Sequence, residues 1–227
     1  MNRYDDFVKK AYVTKFMIGL NILIFVYTYL IYGTTTDSRV LLLMGANVGE
    51  LIVQFNQWYR LLTANFIHIG IAHLISNMFC LYSAGPILEA LMGHFRFLIL
   101  YLGAGVGGSL LSFAFNNSIS AGASTAVLGI FGAYYILGYM HPESTYLKSR
   151  SNTIGTLIIF QFIMGIMTPG IDNWGHFGGA LYGVLLTFIL GTKWKSQNSK
   201  RDRFYALISL IIITMLVFCF GYLKYAR

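Results

Sequence analysis

Residues 66–115 read FIHIGIAHLISNMFCLYSAGPILEALMGHFRFLILYLGAGVGGSLLSFAF, two long apolar runs joined by the turn Gly93-His94-Phe95-Arg96. A helix crosses the hydrocarbon core of a bilayer with about 20 predominantly apolar residues, and each run supplies that length. Working outward from this pair, hydropathy predicts seven spans, over about 13–32, 66–91, 95–115, 121–140, 152–168, 174–191 and 204–223. Composition agrees: of 227 residues 56% are hydrophobic and 11% charged, where a soluble domain carries about 25% charged residues. A water-soluble globule is excluded, and so are collagen-like and disordered classes. The expected fold is all-α, a polytopic transmembrane helical bundle forming one domain. The first run is long and lacks a small-residue cleavage site, so it reads as an anchor rather than a signal peptide.

The net charge of +8 is distributed as a topology signal. With a cytoplasmic N-terminus, 12 of the 16 basic residues fall inside: Arg3, Lys9, Lys10, Lys15, Arg96, Lys148, Arg150 and the five from Lys193 to Arg203. Arg39, Arg60, Lys224 and Arg227 fall outside, and positive charge favours the cytoplasmic side. No basic patch interleaved with aromatics suggests nucleic acid. Cys80 and Cys219 lie within apolar runs and read as buried small hydrophobes without a disulfide. The connection over about 33–65 is too long for a tight turn and is expected in the interface, with Trp58 and Tyr59 at headgroup level.

Polar side chains inside a span are costly, so each is a functional candidate. His73 and Asn77 stand at i and i+4 on the second span, one turn apart on one face. Ser124 opens the fourth span and His176 the sixth. In the expected topology these three helix starts share the outer side. Small residues at every fourth position, Ala121, Thr125, Gly129 and Ala133 on one helix and Gly175, Gly179 and Gly183 on the other, let backbones approach closely. A serine beside a histidine is a nucleophile with its general base. The first-turn N–H of Ser124, with His73 and Asn77, can receive a developing oxyanion. Asp172 falls in a loop four residues before His176 and Glu89 near the opposite face, so a Ser-His pair is expected rather than a triad.

Each residue also has a plainer reading. A serine in a span commonly bonds back to a carbonyl one turn earlier, and a lone His or Asn bridges helices. Four suitable groups converging at one depth favour the catalytic reading. His68 falls five residues before His73, on a different helical face, and is expected to line the pocket; no metal or cofactor is called for. Glu89 and Arg96 flank the inner turn, where an ion pair or helix-end bonds are expected, and Arg60 is expected to bond loop carbonyls. Asn116-Asn117-Ser118 matches the short glycosylation pattern. His94 and His141 lie on the inner side and take no chemical role.

These residues resemble the rhomboid intramembrane serine proteases, from about Trp58 to Gly183. Trp58-Tyr59-Arg60 is similar to the family's Trp-Arg motif, and His73 and Asn77 to its H-x-x-x-N, preceded by His68. Gly85, Glu89, Gly93, Arg96 and Phe97 match G-x-x-x-E and G-x-x-R-F. Gly122 to Ser124 match G-x-S, and Gly175, His176, Gly179 and Gly183 match the base helix. The resemblance implies a nucleophile at Ser124, a base at His176, and an oxyanion hole from His73, Asn77 and the Ser124 amide. It implies a six-helix core over 13–203 after a cytoplasmic segment 1–12, with an added helix in 204–227. It also implies that the fifth span and the loop from Thr168 to Asn173 gate a substrate helix. Two positions depart: Thr125 replaces a glycine, adding bulk that could narrow the cleft, and Leu128 stands where some members carry an aromatic on the base.

The function expected is an endopeptidase in the plasma membrane that cleaves single-span proteins near the outer face. Because such a helix hides its carbonyls in internal hydrogen bonds, the scissile segment must unwind. Two rivals keep the same residues: a non-catalytic binder of membrane helices, and a transporter built on the intramembrane histidines.

Overall fold

The computed structural model describes residues 3–193 and 199–226, with side chains from Phe7 onward. Lys195, counted among the inner basic residues, lies outside the described residues. All seven expected spans are helices: α2 (Tyr12–Tyr32), α6 (Ile71–Met92), α7 (His94–Phe115), α8 (Ser124–Met140), α9 (Thr145–Met167), α10 (Asn173–Leu190) and α11 (Lys200–Tyr225). The remaining helices are short: α1 (Arg3–Lys10), α3 (Ser38–Met44), α4 (Gly49–Gln54) and α5 (Arg60–Thr63). Four of the long helices, α2, α6, α7 and α11, meet both length and apolarity for crossing a membrane. Among the described residues the regular structure is helical, joined by turns and irregular connections, with one antiparallel bridge pairing Asn47 with Ser120.

The boundaries differ from the hydropathy reading for local reasons. Gly70 at φ 79° stops the chain from entering α6 before Ile71, so residues 64–66 form a separate 3-10 turn and His68 stands outside the helix. Ser144 caps α9, accepting from the Leu147 N–H at 3.3 Å, and starts it seven residues ahead of the apolar run. Hydropathy does not register that polar opening, which holds Lys148 and Arg150. The Ser199/Asp202 capping box likewise begins α11 at Lys200 rather than at 204. Within 1–12, α1 forms where only a short segment was expected.

Helix α8 is the axis of the bundle, buried along nearly its whole length between α6, α7, α9 and α10. Its own Ile130 and Leu137 are fully buried, as are Leu81, Leu88, Phe97 and Leu100 around it. On the side toward α10, backbone meets backbone. A Cβ at Gly179 would strike the Thr125 carbonyl, and one at Gly183 the Gly129 carbonyl. The two small-residue stripes therefore pack directly on each other. A third stripe went unread in the sequence: Gly107 and Gly108 of α7 receive Tyr182 and Gly178 of α10.

Outer helices are more exposed. Cys219 lies on the outward face of α11 instead of being buried, because that helix touches the bundle along one narrow stripe; Cys80 is half-buried and both thiols are free. The stripe is formed by Gly221 against Phe113, Tyr225 against Gly49, and a 2.7 Å bond between the Tyr182 and Thr214 hydroxyls. Trp58 stacks on Tyr222 and meets Phe113 edge-on, so it is packed between helices rather than free at a surface.

Gly179→Val is expected to force α8 and α10 apart and to lower stability by about 1–3 kcal/mol, read as a fall in Tm of the detergent-purified protein. Gly19 has open space around its Cβ position, so Gly19→Ala should leave Tm unchanged or raise it, by at most about 1 kcal/mol.

Candidate functional site

The close seam between α8 and α10 brings their first turns together. Ser124, the first residue of α8, meets His176 of α10 with Oγ and Nε2 2.9 Å apart. The imidazole is 5% exposed and the serine is half-buried. A hydroxyl at this distance from an imidazole nitrogen can pass it a proton.

His73, near the start of α6, lies against the same spot. Its Nδ1 accepts the Ile69 N–H at 3.4 Å, so Nε2 carries the proton and is a donor. A Cβ at Gly122 would lie 2.5 Å from His73 Cε1 and 2.9 Å from Nε2. Glycine at 122, at φ 140°, thus admits the ring beside the serine. The Ser124 N–H belongs to the first turn and has no intrahelical acceptor. Asn77 is buried one turn below His73, and its amide donates back to the His73 carbonyl at 2.9 Å. That bond occupies one of its two N–H groups and leaves the second.

His68 joins this group by a route the helical-face argument missed. Because it stands in the connection before α6, its ring approaches His73 edge-on, with centroids 5.3 Å apart, and its Nε2 accepts the Ala123 N–H at 3.4 Å. It therefore props the residue before the nucleophile.

The segment leading to Ser124 is held from outside. Arg60 is buried and donates to Gln57 Oε1 at 2.7 Å and to the Leu42 and Ala46 carbonyls at 2.8 and 2.9 Å, as expected of it. That fixes Asn47, whose backbone bridges Ser120 and whose amide donates to the Ser109 carbonyl at 2.7 Å. Gly122 N–H then bonds the Ala64 carbonyl at 2.9 Å. One position that the sequence reading left without a role, Asn65, completes the support. Asn65 donates to the Leu61 carbonyl and to Ser109 Oγ, both at 3.0 Å, and accepts from Thr125 Oγ1 at 2.6 Å. Its only signal was a polar residue beside an apolar run. Thr125 consequently does not narrow the cleft: its hydroxyl goes to Asn65 and its methyl packs near Gly108 and Gly175.

Asp172 is likewise more than a loop residue. It is the N-cap of α10, accepting the Gly175 N–H through Oδ1 at 2.9 Å. Gly175, Gly179 and Gly183 line the seam just described.

Glu89, Arg96, His94 and His141 gather at the other end of the bundle. Glu89 is 1% exposed and makes no ion pair with Arg96. It accepts from the Val13 N–H at 2.9 Å, and from the Thr14 N–H and hydroxyl at 2.8 and 2.7 Å. A carboxylate thus satisfies the first turn of α2, with the favourable end of the helix dipole toward it. His94 Nδ1 bonds the same carboxylate at 2.5 Å. Arg96 donates to the Thr192 carbonyl at 2.8 Å, just past the end of α10. These are helix-end bonds, and they hold α2 and α10 to the turn between α6 and α7.

The Rhomboid domain family matches residues 55–193. The chain is 36% identical over 213 residues to rhomboid protease GluP of Bacillus subtilis (strain 168), covering 94% of this chain and 40% of that protein. It is 41% identical over 160 residues to the mitochondrial RHOMBOID-like protein 6 of Arabidopsis thaliana, covering 68% and 50%. With the putative rhomboid protease YdcA of Bacillus subtilis (strain 168) it shares 28% identity over 191 residues, covering 82% and 92%. The chain therefore spans half or less of the length of the first two relatives.

Glu89→Ala would leave the first N–H groups of α2 unpaired and is expected to destabilise the protein by about 1–3 kcal/mol for each buried donor left without a partner, seen as a drop in Tm. Glu89→Gln, which keeps one acceptor oxygen, should lose less.

Proposed function

The chain belongs to the rhomboid family, and on that premise we propose that it is an intramembrane serine endopeptidase acting through Ser124 and His176. What carries the reading is the 2.9 Å contact of Ser124 Oγ with His176 Nε2, made at the shared end of α6, α8 and α10 beside an unspent His73 N–H.

In this mechanism His176 takes the Ser124 proton as Oγ attacks the scissile carbonyl. The oxyanion forms against the Ser124 N–H, His73 Nε2–H and the second Asn77 N–H, donors aimed before the charge appears. The tetrahedral intermediate collapses to an acyl-enzyme, His176 protonates the leaving amine, and water reverses the sequence to free the second product. Hydrolysis therefore requires the site to be wet, and the half-exposed Trp174 and Phe177 on either side of His176 lie where a substrate would shed its lipid.

The substrates proposed are single-span membrane proteins whose helix unwinds at Gly, Pro or polar residues. The N-terminus is assigned to the cytoplasm of a plasma-membrane protein on the charge asymmetry, which places the site toward the outer face. Residues 13–203 are assigned as the catalytic core and the last helix as an addition to it. The segment between α9 and α10, with Gly170 at φ 89° after Pro169, is assigned as the cap over the site.

Ser124→Ala and His176→Ala should each abolish cleavage of a single-span substrate by the purified protein while leaving Tm near wild type. A fluorophosphonate should label the wild type at Ser124 and fail to label Ser124→Ala. Persistent cleavage by Ser124→Ala overturns the assignment.

A further inference from the structure

Three buried polar atoms at the start of α10 have no hydrogen-bond partner within the protein: Asp172 Oδ2, Asn173 Oδ1 and His176 Nδ1; Asn173 turns its amide toward Gly165 of α9. Capping the helix uses only the other carboxylate oxygen, Oδ1. Asp172 and His176 stand one turn apart and are tied by the 3.0 Å bond from the His176 N–H to the Asp172 carbonyl. Helical side chains lean toward the N-terminus, so the imidazole projects back toward the end of the helix that the carboxylate caps. Gly175 keeps the space clear, since a Cβ there would stand 2.6 Å from Asp172 Oδ2.

We propose that Asp172 is the positioning residue of His176, an unpaired carboxylate held one turn behind the base whose countercharge favours the imidazolium formed during the reaction. The proposal rests on the reading of Ser124 and His176 as nucleophile and base. The Ser124 O–H bond breaks and its proton goes to His176 Nε2, while Oγ bonds the scissile carbon and the carbonyl electron pair moves onto oxygen. The proton later passes to the leaving nitrogen as the C–N bond breaks. Asp172 remains ionised throughout and takes no proton. One of its oxygens holds the first turn of α10, and the other is buried without a partner.

Few other groups compete for this role. Among the described residues, the ionisable side chains acting on the imidazole are Asp172 from its own helix cap and His73 from α6. Helix α8 meets it with the Ser124 hydroxyl, α7 meets this turn with Gly108, and α9 places Phe162 against neighbouring Phe177. Of these groups only the carboxylate is an anion.

The test uses the full chain in detergent with a single-span substrate, comparing wild type, Ser124→Ala, Asp172→Asn and Asp172→Ser. Asn and Ser are both good N-caps, so the helix start is retained and the charge is removed. The expected result is a kcat lower by about tenfold to a hundredfold, below the loss seen when a directly bonded carboxylate is removed, with KM and Tm unchanged. Because the base must be neutral to accept a proton, losing the countercharge should also move the acidic limb of the kcat profile to lower pH. Wild-type kcat and pH profile in either cap-preserving variant would overturn the proposal, as would a kcat loss matched by a loss of Tm in both. Failure of the parent reading is separate: it would appear as cleavage by Ser124→Ala, whatever the Asp172 variants do.

Discussion

Everything at the candidate site depends on two helix backbones touching. Where Gly179 faces the Thr125 carbonyl and Gly183 the Gly129 carbonyl, no side chain separates α8 from α10. Helices with ordinary side chains at the contact sit about 8–10 Å apart, and side-chain bulk wedged into this seam would shift the first turns of α8 and α10 and break the 2.9 Å contact between Ser124 and His176. Removing the Cβ atoms removes that spacer. In lipid this matters doubly, since burial of apolar surface does not drive helices together and close van der Waals packing must do so.

A second constraint is that polar groups be satisfied at both ends of the bundle. At the end that holds Ser124 and His176, backbone carbonyls are met by Arg60, Asn47 and Asn65 and the Ala123 N–H by His68, which lock the chain before Ser124. At the other end, Glu89 and Arg96 bind the start of α2 and the exit of α10. Helices α6 and α10, which bring candidate residues together at one end, are therefore pinned at the other. Among the described residues no ion pair lies at the Ser124 end, and hydrogen bonds to the backbone hold it instead.

Much of this was legible in the residue order. Span positions follow from runs of apolar residues, because lipid forces every crossing segment into a helix. Ser124, His176, His73 and Asn77 were visible because a polar side chain in such a run is expensive. Other features were hidden for physical reasons. His68 looked misplaced for His73 only while residues 66–70 were counted as helix; the left-handed Gly70 releases it. Asn65 and Asp172 sit at helix edges, where polar residues are ordinary and their partners are distant in sequence. Thr125 seemed to intrude on the cleft because one letter does not tell which way a side chain turns. The polar start of α9 was missed since hydropathy weighs composition and caps do not register in it.

The carbonyl-to-glycine seam has one further result. Its contacts repeat once per helical turn, so α10 finds good fits along α8 only at whole-turn offsets, and any smaller displacement drives oxygen into carbon. The pair consequently behaves as a rigid unit on which bilayer thickness has little purchase. A thinner or thicker membrane is expected to be met by tilting of the more exposed flanks, α2 and α11, while the distance between hydroxyl and imidazole is set inside the protein.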